Sequence, residues 1–171
     1  MNEAARRARN VEMLRQCWPA FGALVGRVIH TLEQEGLRPR INEGGAWRDP
    51  VAQATAYHSG HSDLLWGLHN ATGLKGEKQA LAVDLIDDDS PSVPRPRFVH
   101  RVNEIVGAFG LMTGVLWSSR RGARLSDADK AAIVAACKSG DWSDVQRIGY
   151  DPLHIQPIGL SVADAKAGKR I

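Results

Sequence analysis

The 171-residue sequence is defined first by what it lacks. No apolar run approaches the length of a membrane span, so no membrane insertion is expected. The amino terminus, Met1-Asn2-Glu3-Ala4-Ala5-Arg6-Arg7, is charged but leads into no apolar h-region, and no signal peptide is read there. The expectation is a chain synthesised in the cytoplasm that reaches its place of work by release or delivery. Cysteine is scarce. Cys17 and Cys137 lie far apart without a CxxC partner, Cys17 on an apolar helical stripe and Cys137 in an alanine-rich helix. Two buried free thiols are expected rather than a disulfide. There is no zinc-finger spacing, no RNP-like run and no basic-aromatic stripe, so no nucleic-acid partner is read. EF-hand spacing is missing, and so is a compact HExxH. No repeat or long linker divides the chain.

Against these absences, a 43% hydrophobic and 24% charged composition is that of an ordinary globular protein with one substantial core. Net charge is only +3. Two basic clusters, Arg6-Arg7-Arg9 and Arg120-Arg121-Arg124, would suit a polyanion, though each alone reads as a solvated basic face. Phenylalanine and tyrosine are few, but five tryptophans are many for this length and suit clefts as well as cores.

Hydrophobic spacing gives the elements. Val11, Leu14, Trp18, Phe21, Val25, Val28 and Leu32 step by three and four, predicting an amphipathic helix over 3–35 that Pro19 kinks or splits and Gly36 ends. Residues 37–42 read as a strand kept at a sheet edge by Pro39. Asp49 as N-cap with Pro50 following starts a helix to about His58. Residues 59–79 are mostly loop. Residues 80–86 read as a central strand, followed by Asp87-Asp88-Asp89 and a proline-rich exit, taken as a solvated acidic loop. Phe98, Val102, Ile105, Val106 and Phe109 mark a second amphipathic helix closed by Gly110. Leu111 to Trp117 is a strand, Ser126 caps a helix to about Lys138, Leu153 to Ile158 is a strand, and 161–167 is a short terminal helix. The fold class is α+β, a small antiparallel sheet with packed helices.

The chemistry concentrates in two stretches. Leu68-His69-Asn70-Ala71-Thr72-Gly73 runs through a loop to Leu81-Ala82-Val83-Asp84-Leu85-Ile86, and Asp151-Pro152-Leu153-His154-Ile155-Gln156 lies near the other end. An aspartate inside an apolar strand is costly unless it is paired or metal-bound. His69, Asp84 and His154 are three possible metal ligands that leave a position open for water, the inventory of a hydrolytic zinc site, and Asp151 is left over. Each residue also has a plainer reading. A buried histidine often bonds only to backbone, and Asp84 could form a structural salt bridge with Arg48. Spacing alone leaves both open. His30, His58, His61 and His100 are read as exposed or structural.

Taken in order, Trp47-Arg48-Asp49-Pro50 with Gln53, His69 to Asp84 in the frame His…Leu-Ala-Val-Asp-Leu, Trp117, and Asp151-Pro-Leu-His154-Ile resemble the M15 family of zinc peptidases. These are D-alanyl-D-alanine carboxypeptidases and L-alanyl-D-glutamate endopeptidases of bacteria and phages, with the hedgehog/DD-peptidase fold. The resemblance covers roughly 36–158 and implies a single peptidase domain over 1–171. That domain would comprise an N-terminal helical segment (1–35), a catalytic core (36–158) and a tail (159–171). It implies a Zn2+ held by His69, Asp84 and His154, Asp151 as catalytic carboxylate, and Arg48 on the substrate carbonyl. Trp117 would wall the cleft, although a core role is also open to it. The implied substrate is a peptidoglycan stem peptide, the implied assembly a monomer, and the implied setting a phage or prophage lysis enzyme. The rival is a non-catalytic, zinc-containing cell-wall-binding module. Two departures stand out. Gly67 occupies a position where the family usually has serine, and the 74–79 loop lengthens the gap from His69 to Asp84, with consequences expected for subsite shape. The 118–142 segment reads as an insertion near the site.

Overall fold

The computed structural model describes residues 1–118 and 124–171. Arg120 and Arg121 therefore lie outside the described residues, as does part of the 118–142 segment. Four strands form one antiparallel sheet: β1 (Pro39–Ile41), β2 (Val83–Asp87), β3 (Leu111–Gly114) and β4 (Asp151–Pro157), in the order β1-β2-β4-β3. The helices are α1 (Glu3–Leu14), α2 (Pro19–Gln34), α3 (Pro50–His58), α4 (Pro96–Val106), α5 (Asp127–Ser139) and α6 (Val162–Lys166). The α+β class expected from the sequence is the one observed. β1 is the sheet edge that Pro39 requires, and β2 lies inside the sheet.

The long first helix is split, not kinked. α1 ends at Leu14, and α2 restarts with Pro19 at its first position, where the missing N–H costs nothing. The break changes the phase of the buried face. Phe21, Val25, Val28 and Leu32 remain in the core, while Val11 is 51% exposed. α1 instead buries Arg6, Asn10 and Met13. Arg6 is thus no part of a solvated basic face. It donates to the Pro39 carbonyl and to Glu3 and Glu33, and Asn10 both donates to Pro39 and accepts from Ile41 N–H. These bonds tie α1 to the exposed edge of the sheet.

A second correction concerns the acidic run after β2. Asp87 is fully buried and Asp88 only 6% exposed. Asp87 accepts from the Arg95 guanidinium at 2.5 and 2.7 Å, and Asp88 from Arg40 at 2.6 Å. The run turns inward because these arginines supply charge-assisted bonds. A glance at the three aspartates alone suggests water as their partner.

α4 packs on β3 and β4, and α2 packs on α4 and β1. Their apolar faces and the inward side chains of β2 make the main core, including Phe98, Val102, Leu85 and Ile155. A separate apolar cluster of Val115, Leu125 and Ile133 lies under α5 and includes Cys137 and Trp142 at its margin. Both cysteines are free, Cys17 buried and Cys137 half-buried. Burial pushes the Cys17 thiol up to about 12.

Candidate metal centre

In β2 the buried and half-exposed positions alternate, with Val83, Leu85 and Asp87 inward and Asp84 and Ile86 on the opposite face. Asp84 is the register partner of His154 in β4. Side chains at paired positions share a face, so the sheet delivers the carboxylate and the imidazole to one cleft. His69 arrives from outside the sheet, on a single 3-10 turn at Leu68–Asn70. Asn70 fixes that turn by accepting from Gly67 N–H at 2.8 Å and donating to the Arg48 carbonyl at 2.7 Å.

The three side chains meet closely. His154 Nδ1 lies 2.9 Å from Asp84 Oδ1, His69 Nε2 lies 3.3 Å from the same oxygen, and the two nitrogens are 3.3 Å apart. Zinc–ligand bonds of 2.0–2.2 Å in a tetrahedron separate ligand atoms by about 3.3–3.6 Å. Two edges of the triangle have that length, and the third, at 2.9 Å, is shorter. Its outer hydrogen bonds also set the tautomers. His69 Nδ1 faces the Ala46 carbonyl at 2.8 Å, and His154 Nε2 faces Gln156 Oε1 at 3.2 Å. Both partners are acceptors, so both outer nitrogens carry the protons. The inner nitrogens are then left with lone pairs, aimed together with a carboxylate oxygen at one point. Three lone pairs so disposed suit a cation. The group His69, Asp84 and His154 can hold a metal ion, and among the described residues it is the one cluster of metal-ligating side chains found.

The electrostatics agree. Burial works against ionisation of Asp84, but the two imidazoles beside it, His69 first and then His154, outweigh it and hold the carboxyl well below the usual range. Burial likewise opposes a charge on His154, yet the bond to Asp84 raises its pKa. The site therefore favours positive charge, supplied as a proton or as a metal ion.

The two sequence readings of Asp84 divide between its oxygens. Oδ1 faces the histidines, while Oδ2 accepts from Arg48 Nη2 at 3.2 Å. Arg48 is also held by Gln53, whose Oε1 accepts from Nη1 at 3.1 Å. Gln53 is itself buried and donates to Ser62 Oγ and to the Leu64 carbonyl.

Asp151 stands beside this group, its Oδ2 3.9 Å from His154 Nδ1. Strict alternation along β4 would put Asp151 on the face opposite His154. The pairing with β3 breaks here. Thr113 pairs with Ile155, and the next residue, Gly114, pairs with Asp151, so β4 bulges and Asp151 is re-aimed at the cleft. Two glycines make room. A side chain at Gly114 would meet the Asp151 carbonyl and the Trp117 ring, and one at Gly149 would meet the Gly114 carbonyl. Asn103 braces the bulge by donating to the Pro152 carbonyl at 3.1 Å while accepting from the Thr113 hydroxyl. Burial raises the pKa of Asp151, and the nearby charge of Asp84 raises it further.

Trp117 sits on the cleft wall, its ring centroid 5.0 Å from that of His154. Tyr150, Asp63, Gln156 and His61 also line the cleft. Sequence reasoning set His61 aside, but it reaches the rim while bonding to Ser59. His30 and His58 are exposed, and His100 stacks on Trp142. The roles of Gln156, Asn70 and Asn103 went unread. A polar residue two positions after a strand histidine is a usable signal for Gln156, whereas Asn103 carries none in a helix of otherwise apolar spacing. The 74–79 loop does not border this cleft. Leu74, Lys75, Glu77 and Gln79 line a different groove with Trp18 and Trp66.

No protein-family model matches the chain, and no curated protein matches it. Among solved structures, the LdcB LD-carboxypeptidase, whose structure reveals the molecular basis of peptidoglycan recognition, aligns at 14% identity with a TM-score of 0.46. The alignment covers 91% of this chain and 73% of the other. A likeness this distant establishes no family and assigns no activity.

Proposed function

We propose that this protein is a zinc-dependent peptidase that hydrolyses peptide bonds in peptidoglycan stem peptides. The observation that carries the reading is the convergence of His69 Nε2, Asp84 Oδ1 and His154 Nδ1 within 3.3 Å of one another, with a fourth group, Asp151, beside them. The ordered motifs that resemble the zinc peptidases point the same way and supply the substrate class.

His69, Asp84 and His154 would hold the ion. A zinc ion there supplies Lewis acidity and makes a water more acidic. Asp151 takes the proton of the attacking water and later delivers it to the leaving amine. It stands on the cleft 3.9 Å from His154 Nδ1, within reach of a water held between them. Arg48, held in place by Gln53, directs N–H donors and charge toward the oxygen of the scissile carbonyl. Trp117 walls the cleft and limits water. A binding module without activity would not need a carboxylate re-aimed at its metal ligands by a braced strand bulge, so Asp151 favours the enzyme. Domain limits of 1–171, action as a monomer, and release or delivery to the cell wall from the cytoplasm, as in phage or prophage lysis, belong to the same proposal.

The test is digestion of purified peptidoglycan by the zinc-loaded chain, with fragments identified by mass spectrometry. New peptide-bond products that vanish with a chelator and return with zinc are expected. Intact peptidoglycan after prolonged incubation with fully zinc-loaded protein would sink the reading.

A further inference from the structure

The cleft does not end at the metal-type residues. On one side of Arg48, Asp84 and Asp151 it runs between Leu64, Trp117, Gln156 and Val162. On the other it continues as a second groove between Asn42, Ile86, Pro94 and Leu153. Arg48, His61, Asp84 and Asp151 line both. The two grooves thus meet at Arg48, Asp84 and Asp151, beside the two histidines of the first.

We infer that a peptide chain passes over this centre with residues in both grooves, so that the bond cut is internal and the enzyme is an endopeptidase. The inference rests on the hydrolase reading above and narrows it. Two observations carry it. First, the second groove offers about 440 Å³, within the range of about 300–1,000 Å³ of pockets that hold ligands of drug size, larger than one small amino acid. Second, beyond the shared residues its walls are apolar, from Ile86, Pro94 and Leu153, with a single amide from Asn42. Such walls suit a continuing uncharged chain.

The experiment uses the zinc-loaded full chain and two synthetic stem peptides of one sequence. In the first the cleaved bond joins the terminal residue. In the second the chain extends two residues further. Remote contacts act on turnover as well as on binding, so the extended peptide should show a kcat/KM at least about tenfold higher. Asn42→Trp and Pro94→Trp, which narrow the second groove, should each reduce that advantage while the zinc content stays at one per chain. Release of a single terminal amino acid as the main product, or equal kcat/KM for the two peptides, would overturn the inference while leaving a hydrolase. Failure to cut either peptide or whole peptidoglycan would overturn the hydrolase reading itself, and the endopeptidase assignment with it.

Discussion

Asp84 and His154 face each other across β2 and β4 as register partners, with Oδ1 and Nδ1 2.9 Å apart. This pair explains why an aspartate occurs inside an apolar strand. Its backbone belongs to the sheet, but its side chain leaves the core for a cleft. There Oδ2 is satisfied by Arg48, and Oδ1 joins two imidazole nitrogens. The metal-ligand and salt-bridge readings are both realised, one on each oxygen.

One zinc per chain is expected. Replacing His69, Asp84 or His154 by alanine should sharply weaken zinc binding, while His58→Ala and His61→Ala should leave it intact. Both histidines must be neutral to bind, so acid should release the metal as they protonate. The core is built from helix and sheet faces away from the site, so the apo protein should stay folded by circular dichroism. Full zinc occupancy in His69→Ala or His154→Ala, read by elemental analysis, would show that the site is misplaced.

Asp151→Asn keeps shape and hydrogen bonding but removes the proposed base. Turnover should fall by about 10²–10⁴-fold, the usual worth of general acid–base catalysis, with zinc content and thermal midpoint nearly unchanged. Loss of zinc together with the fold would make Asp151 a structural residue.

Arg48→Lys retains charge and loses the planar fork that serves Gln53 and Asp84 at once. Turnover should drop by at least about tenfold, within the scale of losing an oxyanion donor, with little change in stability. Normal activity in a protein whose thermal midpoint has collapsed would mean that the ion pair with Asp84 is all that Arg48 provides.

Much of this was legible in the sequence, for identifiable reasons. Periodicity located α4 and the caps of α3 and α5, because Asp49, Ser126 and the flanking glycines act locally. Metal-type residues stood out because His and Asp are conspicuous in apolar strands. What stayed hidden depends on contacts distant in sequence. Arg6 is buried because Glu33 and the Pro39 carbonyl, far along the chain, receive it. Asp87 and Asp88 turn inward toward Arg95 and Arg40 for the same reason. The β4 bulge that re-aims Asp151 arises from a pairing with β3 that no local pattern encodes.

Acid should expose the cost of the Asp88 contact. Burial opposes its ionisation, but the hydrogen bond from Arg40, the Met1 ammonium and the Arg40 charge together outweigh it and lower its pKa. A depressed folded pKa contributes stability above the unfolded value of about 3.9 and loses it as pH falls through the lower folded value. Wild-type stability should therefore decline below about pH 4. Asp88→Asn should be less stable at neutral pH with a shallower acid decline. Urea unfolding at several pH values checks this, and parallel acid slopes for the two proteins would remove Asp88 from the account.

Gln156 offers the most specific test of the metal geometry. Its Oε1, 3.2 Å from His154 Nε2, holds the proton there and so keeps the Nδ1 lone pair pointed at Asp84 and His69. Without that acceptor the imidazole can adopt the other tautomer, which places a proton where the ion must sit. Gln156→Leu should therefore weaken zinc binding by about 10–100-fold, the range for outer partners of metal-bound histidines. Gln156→Glu keeps an acceptor and should bind zinc at least as well as the leucine variant and close to wild type. The residue is half-exposed on the cleft wall, so neither change should disturb the core. Competition with a chromophoric chelator measures the affinities without any turnover. Equal zinc affinity in wild type and Gln156→Leu would mean that the His154 tautomer is fixed by something other than Gln156, and the lone-pair argument for the site would lose one of its two supports.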